Sequence, residues 1–366
     1  MRGNTVRADE VGVVDLFCGV GGLTHGLKQA GLKGVVGIDA DESCRYAYET
    51  NNAARFKSED VSTLSIGDVR SLFDDNAEYT VLVGCAPCQP FSSLNRSGAG
   101  TQWRLVEDFA RIAVGVRPDV VSMENVPALR HHPVFQDLVS QLRAAGYSVW
   151  CDVVDCSRYG TPQKRKRLVV LASLREGIRL TEPTHDSATT VRDAIGKLGP
   201  IAAGETSESD PLHRSAALSN LNLRRLRATP EGGSWKDWPE EIRLACHRKA
   251  SGRSYPSIYG RLSWNEPAPT LTTQFHTLGT GRWGHPEQDR ALSLREGALL
   301  QGFPADYAFT DPSSAVGIGE TAKHIGNAVP VPLGRAIGVS LLSHLGDRGQ
   351  ASAACDPAVD LPRADS

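Results

Sequence analysis

The chain has 366 residues, of which 40% are hydrophobic and 22% charged, with a formal net charge of −2 at pH 7. This composition is typical of globular proteins and argues against wholesale disorder, and the length predicts one large domain or a large domain with a smaller one. The near-neutral charge excludes a uniformly basic surface, so any footprint for nucleic acid would have to be local. No apolar run is long enough to span a bilayer and the first ten residues are polar, which predicts a soluble, cytoplasmic protein with no membrane contact.

Residues 11–173 alternate short β-branched runs with amphipathic stretches, which is the pattern of βα units and of a mostly parallel sheet in an α/β fold. The first units are predicted as a strand at 11–17, a helix ending at Gly31 and a strand at 35–39. A third unit follows through residue 72. The later strands are predicted at these ranges: 81–84, 120–124, 149–154 and 168–172. The last two strands are interpreted as a hairpin at the sheet edge.

Beyond residue 184 the βα rhythm stops, and the sequence is rich in Gly, Pro, Ser, Arg and Trp until about residue 286. This change in composition predicts a second, irregular domain. Helical spacing returns at 292–300 and again at 331–345, and the small polar residues after 345 predict a disordered tail.

A glycine-rich turn, residues 15–22, follows the first strand and opens the first helix. Glycines at that place let the backbone approach a ligand, although such a turn alone can equally be a plain strand-to-helix connection. Asp39 ends the second predicted strand, where a carboxylate can accept hydrogen bonds from ribose hydroxyls, so the pair indicates an adenosine-containing ligand. Asp60 could reach an adenine amino group or could simply cap a helix.

A Cys-x-x-Cys motif, residues 85–88, follows the strand at 81–84, at the edge where open α/β sheets place their ligand crevice. Cys88 is therefore a candidate nucleophile. Half of a zinc site, completed by Cys151 and Cys156, and a redox dithiol are alternatives. The eight cysteines of this chain are otherwise expected to be reduced thiols rather than a disulfide framework.

Each of four further motifs, taken alone, does not define a function. Glu124, in Met-Glu-Asn-Val-Pro, is either a catalytic carboxylate or a helix cap. The basic run at 163–167 places Arg165 and Arg167 at alternate positions, which would point both side chains to one side of a strand. Residues 295–304 and 326–330 indicate only a helix end and a turn.

Taken in order, these motifs resemble the motif set of the DNA cytosine-5 methyltransferases, and the resemblance covers most of the chain. The resemblance implies a Rossmann-like sheet of the S-adenosylmethionine-dependent methyltransferases, with helices on both faces, plus a smaller irregular target-recognition domain. It divides the chain into a catalytic and cofactor-binding domain at 11–184, a target-recognition domain at 185–290, a return segment at 291–345 that completes the catalytic domain, and the tail at 346–366.

The resemblance also implies the site. Cys88 would add to C6 of a flipped cytosine, Glu124 would contact N3 and the exocyclic amine, and Arg165 would hold the base through O2. The S-adenosylmethionine would lie against the following residues, with no metal ion involved: Phe17, Gly19, Gly21, Gly22, Asp39, Asp60, Asn327 and Val329.

Sequence recognition is expected between residues 167 and 290. Residues 221–262 carry nine Arg or Lys against four acids, a local net charge of +5. Four aromatic residues interleave with them and indicate either DNA contacts or a small core: Trp235, Trp238, Tyr255 and Tyr259. The candidate DNA-binding residues are Gln89, Ser92, Arg167, Arg224, Arg225, Arg248 and Lys249.

The implied partner is double-stranded DNA, which would associate the protein with the nucleoid, and a cognate restriction endonuclease or defence-system proteins are further candidate partners. A tRNA cytosine-5 methyltransferase of the same architecture is the nearest alternative, but its Cys-Phe-Thr tripeptide is absent. A catalytically silent DNA-binding relative is disfavoured because Cys88, Glu124 and Arg165 are all present. A thiol oxidoreductase is the remaining alternative.

Overall fold

A computed structural model describes residues 7–87, 104–248 and 256–347. Seven strands form one sheet in the order β3-β2-β1-β4-β5-β8-β6, and β7 pairs with β9 in a separate two-stranded sheet. The strands are β1 Val11–Leu16, β2 Val35–Asp39, β3 Arg55–Ser58, β4 Tyr79–Gly84, β5 Val120–Asn125, β6 Ser148–Asp155, β7 Gln163–Lys164, β8 Lys166–Ser173 and β9 Ala268–Pro269. The strands β1 to β5 are parallel, whereas β8 is antiparallel to both β5 and β6.

The helices are α1 Gly22–Ala30, α2 Arg45–Asn52, α3 Ile66–Arg70, α4 Arg104–Val116, α5 Pro133–Ala144, α6 Val191–Ile195, α7 Asn220–Arg227, α8 Leu294–Leu300, α9 Ile318–Asn327 and α10 Val331–Gly346. Alternate residues of β1 face opposite sides of the sheet. Val14 and Leu16 pack with α3, α4 and α5, while Val11 and Val13 pack with α1 and α10. The predicted α/β fold with helices on both faces is therefore confirmed.

The strands that the sequence predicts are present with small changes at their ends. Every residue of β1 is buried, as expected for a parallel strand covered on both faces, whereas β6 is half-buried at the sheet edge. The predicted hairpin is the β6–β8 pair, with a 3-10 turn and β7 between the two strands. Gly31 ends α1 in the left-handed region, with φ 109°, as its position predicts.

The sequence interpretation missed α9, because it reduced the segment around residue 326 to a turn. The stretch Ile318–Gly346 is long and apolar enough to cross a membrane by composition, but 67% of its most apolar window is buried in the protein. Pro330 divides it into α9 and α10, and α10 packs along α1. These helices are core elements.

Residues 185–290 contain two short helices, 3-10 turns and β9 among those that the structure describes. Their buried side chains, such as Leu271, Phe275 and Trp283, share one apolar cluster with Cys18 and Phe303. The domain boundaries at 184, 290 and 345 stay predictions. All but two residues of the predicted tail lie outside the described ranges, and α10 itself continues to Gly346.

The close approach of α1 to α10 yields a stability prediction. A Cβ atom at Gly26 would lie 2.4 Å from the backbone nitrogen of Arg335 and 2.5 Å from the carbonyl carbon of Gly334. Backbone cannot move aside as a side chain can, so Gly26→Ala is expected to lower the free energy of unfolding by about 1–3 kcal/mol in urea denaturation. Gly67→Ala is the control, because Gly67 is exposed in α3 and its Cβ would meet only the Ser65 hydroxyl, at 3.7 Å. Equal midpoints for the two variants would contradict this packing.

Candidate active site

The turn between β1 and α1 is built around a hydrogen bond to β2. The Gly19 amide donates to Asp39 Oδ2 at 2.9 Å, and the Asp41 amide donates to the other oxygen of the same carboxylate at 2.9 Å. Phe17 and Gly19 both have positive φ, 60° and 49°. Burial raises the pKa of the Asp39 carboxyl, and the hydrogen bonds oppose that shift. Asp39 thus lies beside the turn at the carboxyl edge of the sheet, as predicted.

Two glycines of this turn serve different purposes. A Cβ atom at Gly19 would meet none of the described residues within 4 Å, so a ligand can approach the backbone there. A Cβ atom at Gly22 would lie 2.4 Å from the carbonyl oxygen of Val329, so Gly22 lets the return segment pack against the turn. The structure therefore brings Val329, which is buried, next to the turn. Asn327 is exposed at the end of α9, two residues before Val329.

Asp60 occupies an ordinary capping position. Its side chain is exposed and accepts a hydrogen bond from the Ser62 amide at 2.9 Å, which caps a 3-10 turn. This is the capping alternative that the sequence left open. A contact from Asp60 to adenine stays a prediction.

Asp41, Cys44 and His324 present three potential metal ligands within 4.8 Å of one another. The Asp41 carboxylate already has partners, however, because Lys323 Nζ lies 3.4 Å away and the Ser43 amide donates to it at 3.2 Å. Burial opposes ionisation of Asp41, but the Ser43 hydrogen bond and the charges of His324 and Lys323 outweigh it and lower its pKa to about 2. We interpret this cluster as the cap that precedes α2. The predicted absence of a metal from the reaction stays a prediction.

The ends of β4 and β5 form the second part of the site. Cys88, Gln89 and Ser92 lie outside the described residues, but the root of their segment, Cys85–Pro87, lies inside them. The Cys85 thiol donates to Glu124 Oε2 at 2.8 Å, and the Asn125 side-chain amide donates to the Ala86 carbonyl at 3.0 Å. The chain that leads to Cys88 is thus held against the strand that carries Glu124.

Glu124 is 2% exposed and forms an ion pair with Arg167, whose Nε lies 2.7 Å from Glu124 Oε1. Arg165 is also buried, but it makes other contacts. Its Nη1 donates to the Leu271 carbonyl at 3.0 Å and its Nη2 to the Gly326 carbonyl at 3.4 Å, while Nε has no hydrogen-bond partner in the part of the chain that the structure describes. Burial, then the neighbouring Arg167 charge, lowers the pKa of Arg165 to about 9. The structure therefore places Arg167, and not Arg165, on the carboxylate.

Side-chain amides join the later motifs to this centre. Gln163 Nε2 donates to Gln301 Oε1 at 2.8 Å, and Gln301 Nε2 donates to the carbonyls of Ile325 and Ala328, both at 2.9 Å. Sequence reasoning missed this network, because an internal amide pair has no local signature.

A buried ion pair was missed as well. Arg290 binds Glu296 through two contacts of 2.7 Å. Ser293 and Glu296 form a capping box at the start of α8, and the spacing Ser-x-x-Glu was visible in the sequence.

The candidate DNA-binding residues differ in their accessibility. Arg224 and Arg248 are exposed, although Arg248 pairs with Glu240 at 3.0 Å. Arg225 is 7% exposed, donates to the Ile242 carbonyl at 3.0 Å and lies over the Trp238 ring at 5.3 Å. This burial is at odds with the predicted DNA contact of Arg225, and we assign Arg225 to packing instead. Lys249 lies outside the described residues.

The aromatic residues of the same region resolve one of the open alternatives. Trp235, Trp238 and Ile242 form a buried apolar cluster with Tyr259 packed against it. Trp238 Nε1 donates to Thr229 Oγ1 at 2.7 Å, and Trp235 stacks on His247 at 4.2 Å between ring centroids. In this structure these side chains are therefore a small core. Tyr255 lies outside the described residues.

Comparison with known proteins shows the family of this chain. The family model for C-5 cytosine-specific DNA methylases matches residues 11–343, nearly the whole chain. The chain belongs to this family. Among its relatives is the type II methylase M.HgiDII of Herpetosiphon aurantiacus, which is 47% identical over 335 residues, 90% of this chain and 94% of the relative. The type II methyltransferase M.Eco47II of Escherichia coli is 33% identical, over 92% of this chain and 79% of its own length.

Solved structures agree at the level of the fold. A protein described as a prophage-encoded DNA modification methyltransferase of E. coli superimposes with a TM-score of 0.71 over 92% of this chain and 99% of its own, at 22% identity. The predicted family, the sheet architecture and the activity are thus confirmed. The protein is a DNA (cytosine-5-)-methyltransferase, its substrate is DNA, and its family implies S-adenosylmethionine as the methyl donor.

The position of Asp39 in this DNA methylase gives a binding prediction. Asp39→Ala is expected to raise the KM for S-adenosylmethionine about tenfold or more, while kcat stays within a few-fold. The reason is that hydrogen bonds from the ribose to the charged carboxylate would contribute to binding of the cofactor and not to the chemical step. Steady-state kinetics measure both constants. Asp68→Ala, which removes an exposed helix cap far along the chain from the turn, is the control. A fall in kcat with an unchanged KM would argue against ribose binding by Asp39.

Proposed function

We propose that this DNA methylase methylates C5 of one cytosine within a specific double-stranded sequence, with Cys88 as a covalent nucleophile. The observation that carries the proposal is the placement of Glu124. Its carboxylate is buried at the end of β5, paired with Arg167, and adjoins the root of the segment that leads to Cys88.

The chemistry explains why these groups are needed. C5 of cytosine is a poor nucleophile, so the ring must first lose its aromaticity. The Cys88 thiolate forms a bond to C6, and the electron pair of the C5–C6 double bond moves toward N3, where Glu124 stabilises or protonates it. C5 becomes nucleophilic and takes the methyl group, whose bond to the sulfonium sulfur breaks to leave S-adenosylhomocysteine. Loss of the C5 proton to a base then re-forms the double bond and expels the thiolate.

S-adenosylmethionine supplies an electrophilic methyl group carried on a sulfonium. We propose that Phe17, Gly19 and Asp39 hold it at the β1–α1 turn, with Asn327 and Val329 on the return segment and Asp60 toward the adenine. Gly21 and Gly22 shape the turn. The space that the described residues leave beside Gly19 and the half-buried Asp39 carboxylate suit such a ligand. The reaction as proposed requires no metal ion.

The two arginines take separate roles in this proposal. Arg167 keeps Glu124 oriented through their ion pair, which differs from the DNA contact expected for Arg167 from the sequence. Arg165 joins the β7–β8 connection to Leu271 and Gly326, and its Nε, which has no hydrogen-bond partner among the described residues, is proposed to contact the base.

The target base is inaccessible inside a duplex and has to be flipped out. We propose that Gln89 and Ser92 contact DNA beside it. Arg224, Arg248 and Lys249 are proposed to contact the backbone, together with the exposed Lys236 that borders an open groove with Arg248. Two of the relatives are named type II methylases or methyltransferases. We therefore propose that the enzyme is cytoplasmic and associated with the nucleoid, and that its partner is a restriction endonuclease or another defence protein.

Transfer of tritiated methyl groups from S-adenosylmethionine to DNA and to tRNA tests this proposal. We expect label in DNA only. Bisulfite sequencing of DNA from a methylation-free host that expresses the protein should then show one methylated cytosine in a single recurring sequence. Label in tRNA, or methylation without a recurring sequence, would overturn the proposal.

A further inference from the structure

Cys85 makes a contact that packing does not require. It follows β4 directly, it is half-buried, and its thiol donates to Glu124 Oε2 at 2.8 Å. Arg167 lies on the other oxygen of the same carboxylate, at 2.7 Å. Glu124 therefore accepts a hydrogen bond on Oε2 and has an ion-pair contact on Oε1, which has no hydrogen-bond partner among the described residues. The two contacts come from the end of β4 and from β8.

We propose that Cys85 is a positioning residue, which fixes the Glu124 carboxylate for the reaction on cytosine. This inference rests on the role proposed above for Glu124. A carboxylate has about four lone-pair sites, so the thiol and the guanidinium leave acceptor positions for a base. The Cys85 hydrogen bond on Oε2 restrains rotation of the carboxylate about its last torsion, while the Arg167 charge holds Oε1 on its own side.

The contact also matters electrostatically. Glu124 is almost completely buried, and a buried carboxylate oxygen without a donor is costly. If the thiol were lost, Oε2 would lose one donor and Arg167 would draw the carboxylate toward its own side. The base would then meet a displaced acceptor, although the fold around it would be intact.

Two contacts of the root of the Cys88 segment are made without the Cys85 side chain. The Cys85 backbone amide donates to the Leu16 carbonyl at 3.2 Å, and Asn125 holds the Ala86 carbonyl at 3.0 Å. Both contacts persist when only the side chain at residue 85 is changed. A substitution at Cys85 therefore removes the contact with Glu124 and leaves these two contacts of the segment root in place.

The test compares three substitutions in the full chain. Cys85→Ser keeps a donor, Cys85→Val keeps the approximate volume without a donor, and Cys85→Ala removes both. Single-turnover methyl transfer with saturating DNA and S-adenosylmethionine should be slowed about tenfold in the Val and Ala variants, the effect expected for a lost hydrogen bond to a charged group. Cys85→Ser should restore the rate to within about threefold by the same reasoning. The KM for S-adenosylmethionine should not change.

Cys151→Ser is the matched control, because Cys151 is another half-buried cysteine. It lies on β6, opposite Val170 of β8. Thermal unfolding confirms that each variant is folded. Wild-type rates in both Cys85→Val and Cys85→Ala, or a Ser variant as slow as the Val variant, would overturn the inference. Glu124→Gln separates the two proposals. If it retains full activity, the role of Glu124 itself fails, whereas an inactive Glu124→Gln beside a fully active Cys85→Val refutes only the positioning role.

Discussion

Replacement of Cys88 by alanine should reduce methyl transfer to DNA to background, a loss of at least about a thousandfold. The reason is chemical, because without addition at C6 the ring keeps its aromaticity and C5 does not attack a methyl group. Filter binding of tritiated DNA measures the rate. Binding of S-adenosylmethionine, followed by calorimetry, should stay within a few-fold of the wild type, since the predicted cofactor residues lie on other segments.

Cys246→Ala is the control, because Cys246 is an exposed thiol in the recognition region. It should retain full activity. Activity above one tenth of the wild-type rate in Cys88→Ala would contradict a covalent mechanism through this residue.

Glu124→Gln should lower the rate of methyl transfer by about 10²- to 10⁴-fold, the range expected when a group that handles a proton in the transition state is lost. Glutamine keeps the shape of the side chain, but it removes the charge that faces Arg167 and the site that can pass a proton to N3. Single-turnover kinetics with saturating substrates report this step directly.

The same substitution has a structural cost that must be measured separately. Arg167 is only 12% exposed and would keep a poorly compensated charge. We expect a lower unfolding temperature, and the kinetics should be recorded well below it. A folded Glu124→Gln variant with wild-type kinetics would show that the carboxylate is not part of the reaction.

The sheet could be predicted from the sequence because its strands are short, buried and bounded by glycine or acidic residues. Val11, Val35 and Val120 begin strands close to where the pattern predicts them. The order β5-β8-β6 could not be predicted, since nothing local specifies that β8 inserts between two earlier elements. The helix α9 was missed because the glycine and asparagine at its end suggest a turn.

Within the site, motif order predicted which segments matter but not which atoms meet. Arg165 and Arg167 are equivalent by spacing, and only the fold shows that Arg167 pairs with Glu124. The charge count of residues 221–262 likewise did not show which side chains are exposed. Arg225 and Arg261 are buried and donate to backbone carbonyls. Counting residues therefore overestimates the basic surface that is available to DNA.

Trapping with 5-fluorocytosine shows whether Cys88 is the attacking thiol. Fluorine at C5 prevents the proton loss that releases the enzyme, so the adduct with the attacking thiol should accumulate when S-adenosylmethionine is present. Mass spectrometry of the digested complex should place the modified nucleotide on the peptide that contains Cys88, and Cys88→Ala should form no adduct. An adduct on Cys85 or on any other residue, or normal methylation with no adduct at all, would contradict the account.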